Sequence, residues 1–228
     1  MEYDLVFLSG GKGSRMKKPI PKQYMLLAGK PIIIHTLERV DAIEKINKVI
    51  IVCADEYIDS ISLMLRQYNI TKKVEFASAG DTRKASVYSG LQKVESPNTI
   101  IHEAARPFVT VEDYMNLIDD ENENVVFGCD IPFTVLKGRE IIDEVLVRDE
   151  LINIQLPQKF NSEMLLVAHK EALKENKFFT DDSSLVFNYN PTLNINVIKG
   201  NDFNIKLTNN IDMVLGEVIY DEHFRRRK

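Results

Sequence analysis

The stretch YDLVFLSGGKGSRMKKPIPKQY, Tyr3 to Tyr24, sets a strand-length run, Tyr3–Leu8, directly ahead of three glycines and then a cluster of lysines with one arginine. A short run closed by glycine reads as a buried strand followed by a tight loop. The same rhythm continues along the chain. Lys48–Cys53 (KVIIVC), Val74–Ala77, Thr99–His102 and Val125–Ile131 read as further strands, with helical periodicity near Ile32–Val40, Ile58–Gln67, Ala85–Val94 and Val111–Ile118. Strands alternating with helices specify an α/β fold with a mostly parallel sheet flanked by helices. In such a sheet the loop after the first strand lies at the carboxyl edge, where ligands bind. No repeat or Pro/Ser-rich linker divides the chain, so residues 1–228 are expected to form one domain, with the polar run Asp119–Asn124 as a surface loop.

The alternation breaks at residues 132–154, PFTVLKGREIIDEVLVRDELINI, where Lys137–Gly138 separates two runs rich in β-branched residues. This reads as a hairpin. One reading has it projecting as a β arm that pairs with a second subunit, since an exposed apolar edge otherwise invites aggregation. The other folds it flat on its own domain.

Composition limits the partners. The chain has 228 residues, 44% of them hydrophobic, enough for a full core. Its formal net charge of -5 argues against a general affinity for nucleic acid or anionic lipid, so an anion site has to be local. The first residues show neither a basic leader nor a long apolar segment, and no run approaches the roughly 20 apolar residues of a membrane helix. A cytoplasmic protein is the expectation. Cys53 and Cys129 each close an apolar run and read as reduced packing residues.

The glycine loop matches neither familiar phosphate motif. A dinucleotide fingerprint starting at Gly11 needs glycine where Met16 stands, and a Walker loop needs glycine at Val6 and a hydroxyl at Gly13. Gly10, Gly11 and Gly13 can instead form a backbone nest for phosphate oxygens. Arg15 and Lys22 follow, the latter stiffened behind Pro19 and Pro21. Fixed positive charge beside a phosphate nest suits phosphoryl transfer, which depends on positioning and charge. Alone, the segment also reads as a solvated basic loop with Lys17 and Lys18 as its exposed part.

Four more segments, AGDTRKASVYSGL (Ala79–Leu91), HEAARPF (His102–Phe108), QLPQKF (Gln155–Phe160) and FNIKLT (Phe203–Thr208), follow in order. With the opening loop they make the chain resemble, from about Leu5 to Met213, the cytidylyltransferases that include the 2-C-methyl-D-erythritol 4-phosphate and D-ribitol 5-phosphate enzymes. The resemblance implies a Rossmann-like domain with a protruding β arm, a homodimer, and a Mg²⁺-dependent reaction of CTP with a polyol phosphate. The products it implies are a CDP-polyol and pyrophosphate. It implies Arg15, Lys22 and Lys206 as catalytic cations, and nucleotide contacts from Ser9, Gly10, Gly11, Gly13, Gly80, Asp81, Ser86 and Ala104. For the acceptor it implies Glu103, Arg106, Thr180 and Thr208, with Arg148 on the arm reaching the phosphate bound by the partner subunit. Bidentate guanidinium geometry suits that task.

Within this scheme the acceptors for the cytosine N4 donor are carbonyls around Gly80 and Asp81, with Ser86 either assisting or serving as an ordinary first-turn serine. Arg83 is expected to order the loop by pairing with a carboxylate. Arg106 either binds substrate or braces Glu103 through a bidentate pair. Mg²⁺ is expected on the CTP phosphates, with Glu103 as an outer ligand and no ligand set assigned. His35, His102, His169 and His223 lack ligand spacing, and His102 reads as structural rather than as a base. The family usually has Asp at Glu103 and Thr at Leu156. These departures, with the VRDEL stretch, make ribitol 5-phosphate or a related alditol phosphate for a cell-surface polymer the expected acceptor. The alternative is 2-C-methyl-D-erythritol 4-phosphate of isoprenoid precursor synthesis; a non-catalytic CTP-binding protein is the alternative of another class. The run Phe224–Lys228 reads as a solvated helix end.

Overall fold

The computed structural model describes residues 2–11, 20–175 and 177–225. The first strand, β1 (Tyr3–Leu8), leads through the glycine loop to a two-stranded ribbon, β2 (Leu26–Leu27) and β3 (Lys30–Pro31), and then to α1 (Ile32–Asp41). Next come β4 (Ile46–Cys53), α2 (Ile58–Gln67), β5 (Lys73–Ser78), α3 (Arg83–Leu91), β6 (Asn98–Glu103), α4 (Val111–Asp119) and β7 (Val125–Asp130). The hairpin strands β8 (Leu136–Gly138) and β9 (Ile142–Val145) follow, then β10 (Ile152–Asn161), α5 (Ser162–Lys174), α6 (Asp182–Tyr189), β11 (Asn196–Lys199) and α7 (Asn210–His223).

Seven strands form the central sheet in the order β11-β7-β10-β6-β1-β4-β5. β1 pairs in parallel with β4 and β6, β4 with β5, and β7 with β11; only β10 runs against its neighbours. Alternation along β1 and β4 decides the layers. Leu5, Phe7, Val49 and Ile51 pack under α1, α2 and α4, while Val6, Ile50 and Val52 pack under α3, α5 and α6. Strands buried on both faces read as unbroken apolar runs, which is why KVIIVC was legible. The helices begin where local chemistry satisfies their first amides. Thr110 with Asp113 and Asn209 with Asp212 form capping boxes, and Thr82 and Asp181 cap α3 and α6.

The structure changes several sequence expectations. The hairpin forms its own two-stranded sheet with every strand residue exposed, so it is not folded flat. Its turn spans residues 139–141, not Lys137–Gly138, and Gly138 lies within β8 at φ +127. Residues 152–154, grouped with the hairpin by sequence, belong to β10 in the central sheet. β10 itself escaped the periodicity reading because INIQLPQKFN carries Gln155, Gln158 and Lys159, all buried. Their polar ends are paired: Gln155 donates to Asn201 O, Gln158 to Asp181, and Lys159 to Asp120 O. Leu156, read as a lost substrate hydroxyl, is a core side chain packed with Phe160 and Val126. Cys53 is buried and Cys129 half-buried, both free. Among the described residues no helix is long and apolar enough to cross a membrane.

At the amino end of β1, away from the carboxyl edge, buried Asp4 accepts from Glu95 N (2.7 Å), Ser96 N (3.0 Å) and Ser96 Oγ (2.9 Å). Asp4→Ala strands all three donors. It is expected to cost roughly 2–3 kcal/mol and lower Tm by about 4–12 °C in a thermal melt. An unchanged Tm would contradict this role.

Candidate active site

The carboxyl ends of the parallel strands finish in one line. Ser9 N donates to Val52 O, Ala79 N to Cys53 O and Ala104 N to Leu8 O, each at 2.8–2.9 Å. These bonds continue the ladder one residue past the strands, so the four following loops leave from a common edge. α1 carries the chain from β1 to β4 on one side, whereas β6 lies on the other, and a crevice opens between them. It holds a cleft of about 780 Å³ lined by Ser9, Gly10, Gly11, Gly80, Asp81, Ser86 and Ala104. All of these were named from sequence for the nucleotide.

Gly10 is fixed by crowding: a Cβ there would lie 2.5 Å from Ala79 Cβ, so the first and third loops touch only because Gly10 lacks one. The sequence reading gave Gly10 and Gly11 to a nest of unusual backbone angles. Positive φ occurs instead at Gly29 and Gly138 among the described glycines. Gly13 and Arg15 lie outside the described residues. The base of the loop is sewn by Gln23, whose Nε2 donates to Ser9 O (2.6 Å) and Gly11 O (3.2 Å). Tyr24, its hydroxyl 3.3 Å from Ser9 Oγ, is pushed up to about 12 by burial and stays protonated.

Two cations from distant parts of the chain reach this cleft. Lys22, in the 3₁₀ turn Lys22–Tyr24 behind Pro21, donates from Nζ to Leu207 O at 2.7 Å. Lys206, the residue before that carbonyl, places its Nζ 2.6 Å from Glu103 Oε2. Arg106 Nε holds the other oxygen of Glu103 at 3.1 Å, and its NH1 donates to Asn204 O. The Arg106 pair is therefore single-pronged, not bidentate, and Arg106 lies outside the cleft lining. Burial alone would raise the Glu103 carboxyl, but Lys206 and then Arg106 outweigh it and hold it below the usual carboxylate range. Thr208 lines the cleft and donates from Oγ1 to Lys206 O.

The loop after β5 is braced twice. Ser86 Oγ accepts from Gly80 N at 3.1 Å and sits within reach of Thr82 O, so it ties down the turn from the first turn of α3. Arg83 pairs with a carboxylate as expected; the partner is Asp182 at the start of α6, which also takes His169 at 3.0 Å. Neither Asp182 nor His169 was singled out as a site residue. The signal was the run DDSS, which supplies a helix cap and a buried acid in succession.

Other expected residues stand apart. Thr180 is exposed and outside the cleft lining. Arg148 is half exposed, paired with Asp149 at 3.3 Å, and lines a separate hollow of about 420 Å³ at the base of the hairpin with Asp130 and Leu151. Within one chain it does not meet Lys22 or Lys206 in the cleft. His102 is fully buried against Phe7 and Tyr114, with Nε2 3.1 Å from Arg106 O.

A sequence model of the family described as IspD: 2-C-methyl-D-erythritol 4-phosphate cytidylyltransferase matches residues 4–222. The chain is 34% identical over 224 residues to 2-C-methyl-D-erythritol 4-phosphate cytidylyltransferase of Clostridium botulinum strain Langeland, covering 96% of this chain and 97% of that protein. It is 33% identical to the enzyme of the same name from Geobacillus thermodenitrificans, with the same coverage. The crystal structure of 4-diphosphocytidyl-2C-methyl-D-erythritol synthase from Anaerococcus prevotii shares the fold at a TM-score of 0.86 and 24% identity, covering 96% of each chain.

Burial, the largest effect, holds the His102 imidazole down to about 3. Between the unfolded value near 6.5 and about 3 the unfolded chain binds a proton that the fold excludes, so this group's contribution to stability falls as pH falls through that window. The ring of His102 is expected to remain neutral from pH 8 to pH 5 when followed by imidazole ¹⁵N shifts. A midpoint near 6.5 would instead mark it as an exposed, titrating group.

Proposed function

The chain belongs to the 2-C-methyl-D-erythritol 4-phosphate cytidylyltransferase family and is a CTP-dependent nucleotidyltransferase, and from that premise we propose that its acceptor is 2-C-methyl-D-erythritol 4-phosphate. The expectation of ribitol 5-phosphate gives way to this reading. The relatives named above carry the methylerythritol name over nearly their whole length. Two of the departures that favoured ribitol also have another account: Leu156 fills the core, and the extra length of Glu103 is taken up by Lys206 and Arg106.

In the proposed reaction an oxygen of the acceptor's phosphate monoester attacks the α-phosphorus of CTP, a new P–O bond forms, and the α–β P–O bond breaks to release pyrophosphate. No protein nucleophile is needed. Cytosine lies against Gly80, Asp81 and Ser86, whose turn offers carbonyls to the N4 donor. The triphosphate runs along Ser9, Gly10 and Gly11, beside Ala104, toward Lys22. Lys22, with Arg15, Gly13 and the rest of the glycine loop, stabilises charge on the transferring phosphoryl oxygens, and Lys206 adds a second amine from the opposite wall. Glu103 and Thr208 face the acceptor. Arg106 acts through Glu103 rather than by contact, and Thr180 and Arg148 serve the acceptor from outside this chain's cleft. Arg148 does so across a homodimer made through the exposed hairpin.

Mg²⁺ fits this arrangement as a passenger of the nucleotide. Among the described residues no three His, Cys, Asp or Glu side chains converge, and Glu103 is already engaged by two cations. A hard ion that keeps its waters and binds phosphate oxygens needs no more than that. Bound there, it would offset charge on the triphosphate. The proposed enzyme works in the cytoplasm without nucleic acid or membrane.

The observation that carries the reading is the bond from Lys22 Nζ to Leu207 O, which joins the glycine loop to the segment holding Lys206 across 185 residues of chain. Pyrophosphate release tests it. With CTP and 2-C-methyl-D-erythritol 4-phosphate the chain is expected to turn over. Lys22→Ala and Lys206→Ala are each expected to lower kcat/KM roughly 10²- to 10³-fold. Faster turnover with ribitol 5-phosphate would reverse the acceptor assignment, and CTP binding without pyrophosphate from either acceptor would remove the catalytic reading.

A further inference from the structure

Asp182 has no exposed side-chain surface, and neither has His169. A buried carboxylate is tolerated only when donors compensate it, and removing one of them leaves an isolated charge. Here each oxygen has its own partner. Oδ2 takes Arg83 NH2, and Oδ1 takes His169 Nε2, which must be the donor because an ionised carboxylate offers only acceptors. Burial works against the Asp182 anion, yet Arg83 and then His169 keep its pKa far below the usual range.

The anchor is rigid. Asp181 caps α6 by accepting from Ser184 N at 3.1 Å. The amide of Gln158, on β10, donates to Asp181 Oδ2 at 2.9 Å and accepts from Ser183 N at 3.2 Å. Asp182 is thus held by a central strand on one side and by α5 through His169 on the other. Arg83, in contrast, is the first residue of α3 and lines the cleft. The residues before it, Gly80 to Thr82, bond to α3 itself: Gly80 N donates to Ser86 Oγ, and Thr82 accepts from Ala85 N and Ser86 N, so the turn and the helix start move as one piece that Arg83 ties to α6.

We infer that Asp182, braced by His169, is a positioning residue for the nucleotide: it fixes Arg83 and through it the Gly80–Ser86 turn against which the base of CTP lies. The inference rests on the reading of this cleft as the CTP site. Neither Asp182 nor His169 touches the ligand. They set the place of groups that do, and an error of an ångström in such groups is costly.

The test compares Asp182→Asn, His169→Gln and His169→Leu with the unaltered chain. CTP binding is measured by calorimetry and KM for CTP and for the acceptor by pyrophosphate release, with circular dichroism to confirm folding. Asp182→Asn keeps the volume and removes the charge. It is expected to raise Kd and KM for CTP about tenfold while acceptor KM and kcat at saturating CTP stay within about threefold. His169→Gln keeps a donor near the Nε2 position and is expected to hold CTP affinity near that of the unaltered chain, whereas His169→Leu moves it in the direction of Asp182→Asn. The inference is overturned if folded Asp182→Asn binds CTP normally, if both KM values rise together, or if His169→Gln is as weak as His169→Leu. Absence of CTP binding by the unaltered chain overturns the reading of the cleft itself, and the inference with it.

Discussion

Parallel strands cannot be joined by tight turns, and every crossover that links them must start again from the same edge. That constraint organises this molecule. The ladder bonds at Ser9, Ala79 and Ala104 carry the sheet just past its strands, and the loops that follow have nowhere to go but around one crevice. Residues that are far apart in sequence, Gly10, Gly80 and Glu103, become neighbours because they lie at or just past the carboxyl ends of β1, β5 and β6. The segment that completes the crevice, with Lys206 and Thr208, enters after the edge strand β11 and is tied back by Leu207 N donating to Ala105 O.

Charged side chains of both signs meet at that edge. The chain carries a formal net charge of -5, and the cleft lining sets Lys22, Arg83 and Lys206 beside Glu56, Asp81 and Glu103, of which Glu103 is engaged by Lys206 and Arg106. Lys206 and Arg106 face Glu103 and favour its charged form, so cation and anion hold each other in place before any ligand arrives. A polyanion entering the cleft meets amines that are already positioned. Preorganised charge of this kind is what phosphoryl transfer asks of a protein.

Much of this was legible. The runs that became β1, β4, β6 and β7 announced themselves because strands buried on both faces have little room for polar residues, whereas β5, at the sheet edge and only partly buried, showed just the short run Val74–Ala77. The four segments sharing order with the glycine loop placed Lys22, Lys206, Ser86 and Glu103 in one cleft before any coordinates. What stayed hidden depends on contacts that no periodicity encodes. β10 reads as a polar segment because its buried Gln158 and Lys159 are satisfied by Asp181 and by Asp120 O, partners 23 and 39 residues away. The need for glycine at position 10 comes from Ala79, not from its own backbone angle. Leu156 resembled a lost substrate contact only while its neighbours in the core were unknown. Arg148, at the base of an exposed hairpin, pairs with Asp149 and stands apart from the cleft, a separation that its place in the motif order did not reveal.

The central claim is that the cleft beyond the carboxyl ends of β1, β4, β5 and β6 holds CTP with its phosphates toward Lys22 and Lys206 and its base at Gly80–Ser86. A crystal structure of the chain soaked with CTP tests it most directly. The account predicts the Lys22 amine at about 3 Å from a phosphate oxygen and the cytosine N4 facing backbone carbonyls of the Gly80–Asp81 turn. A nucleotide seated elsewhere, or one whose base and phosphates are reversed in the cleft, would contradict it.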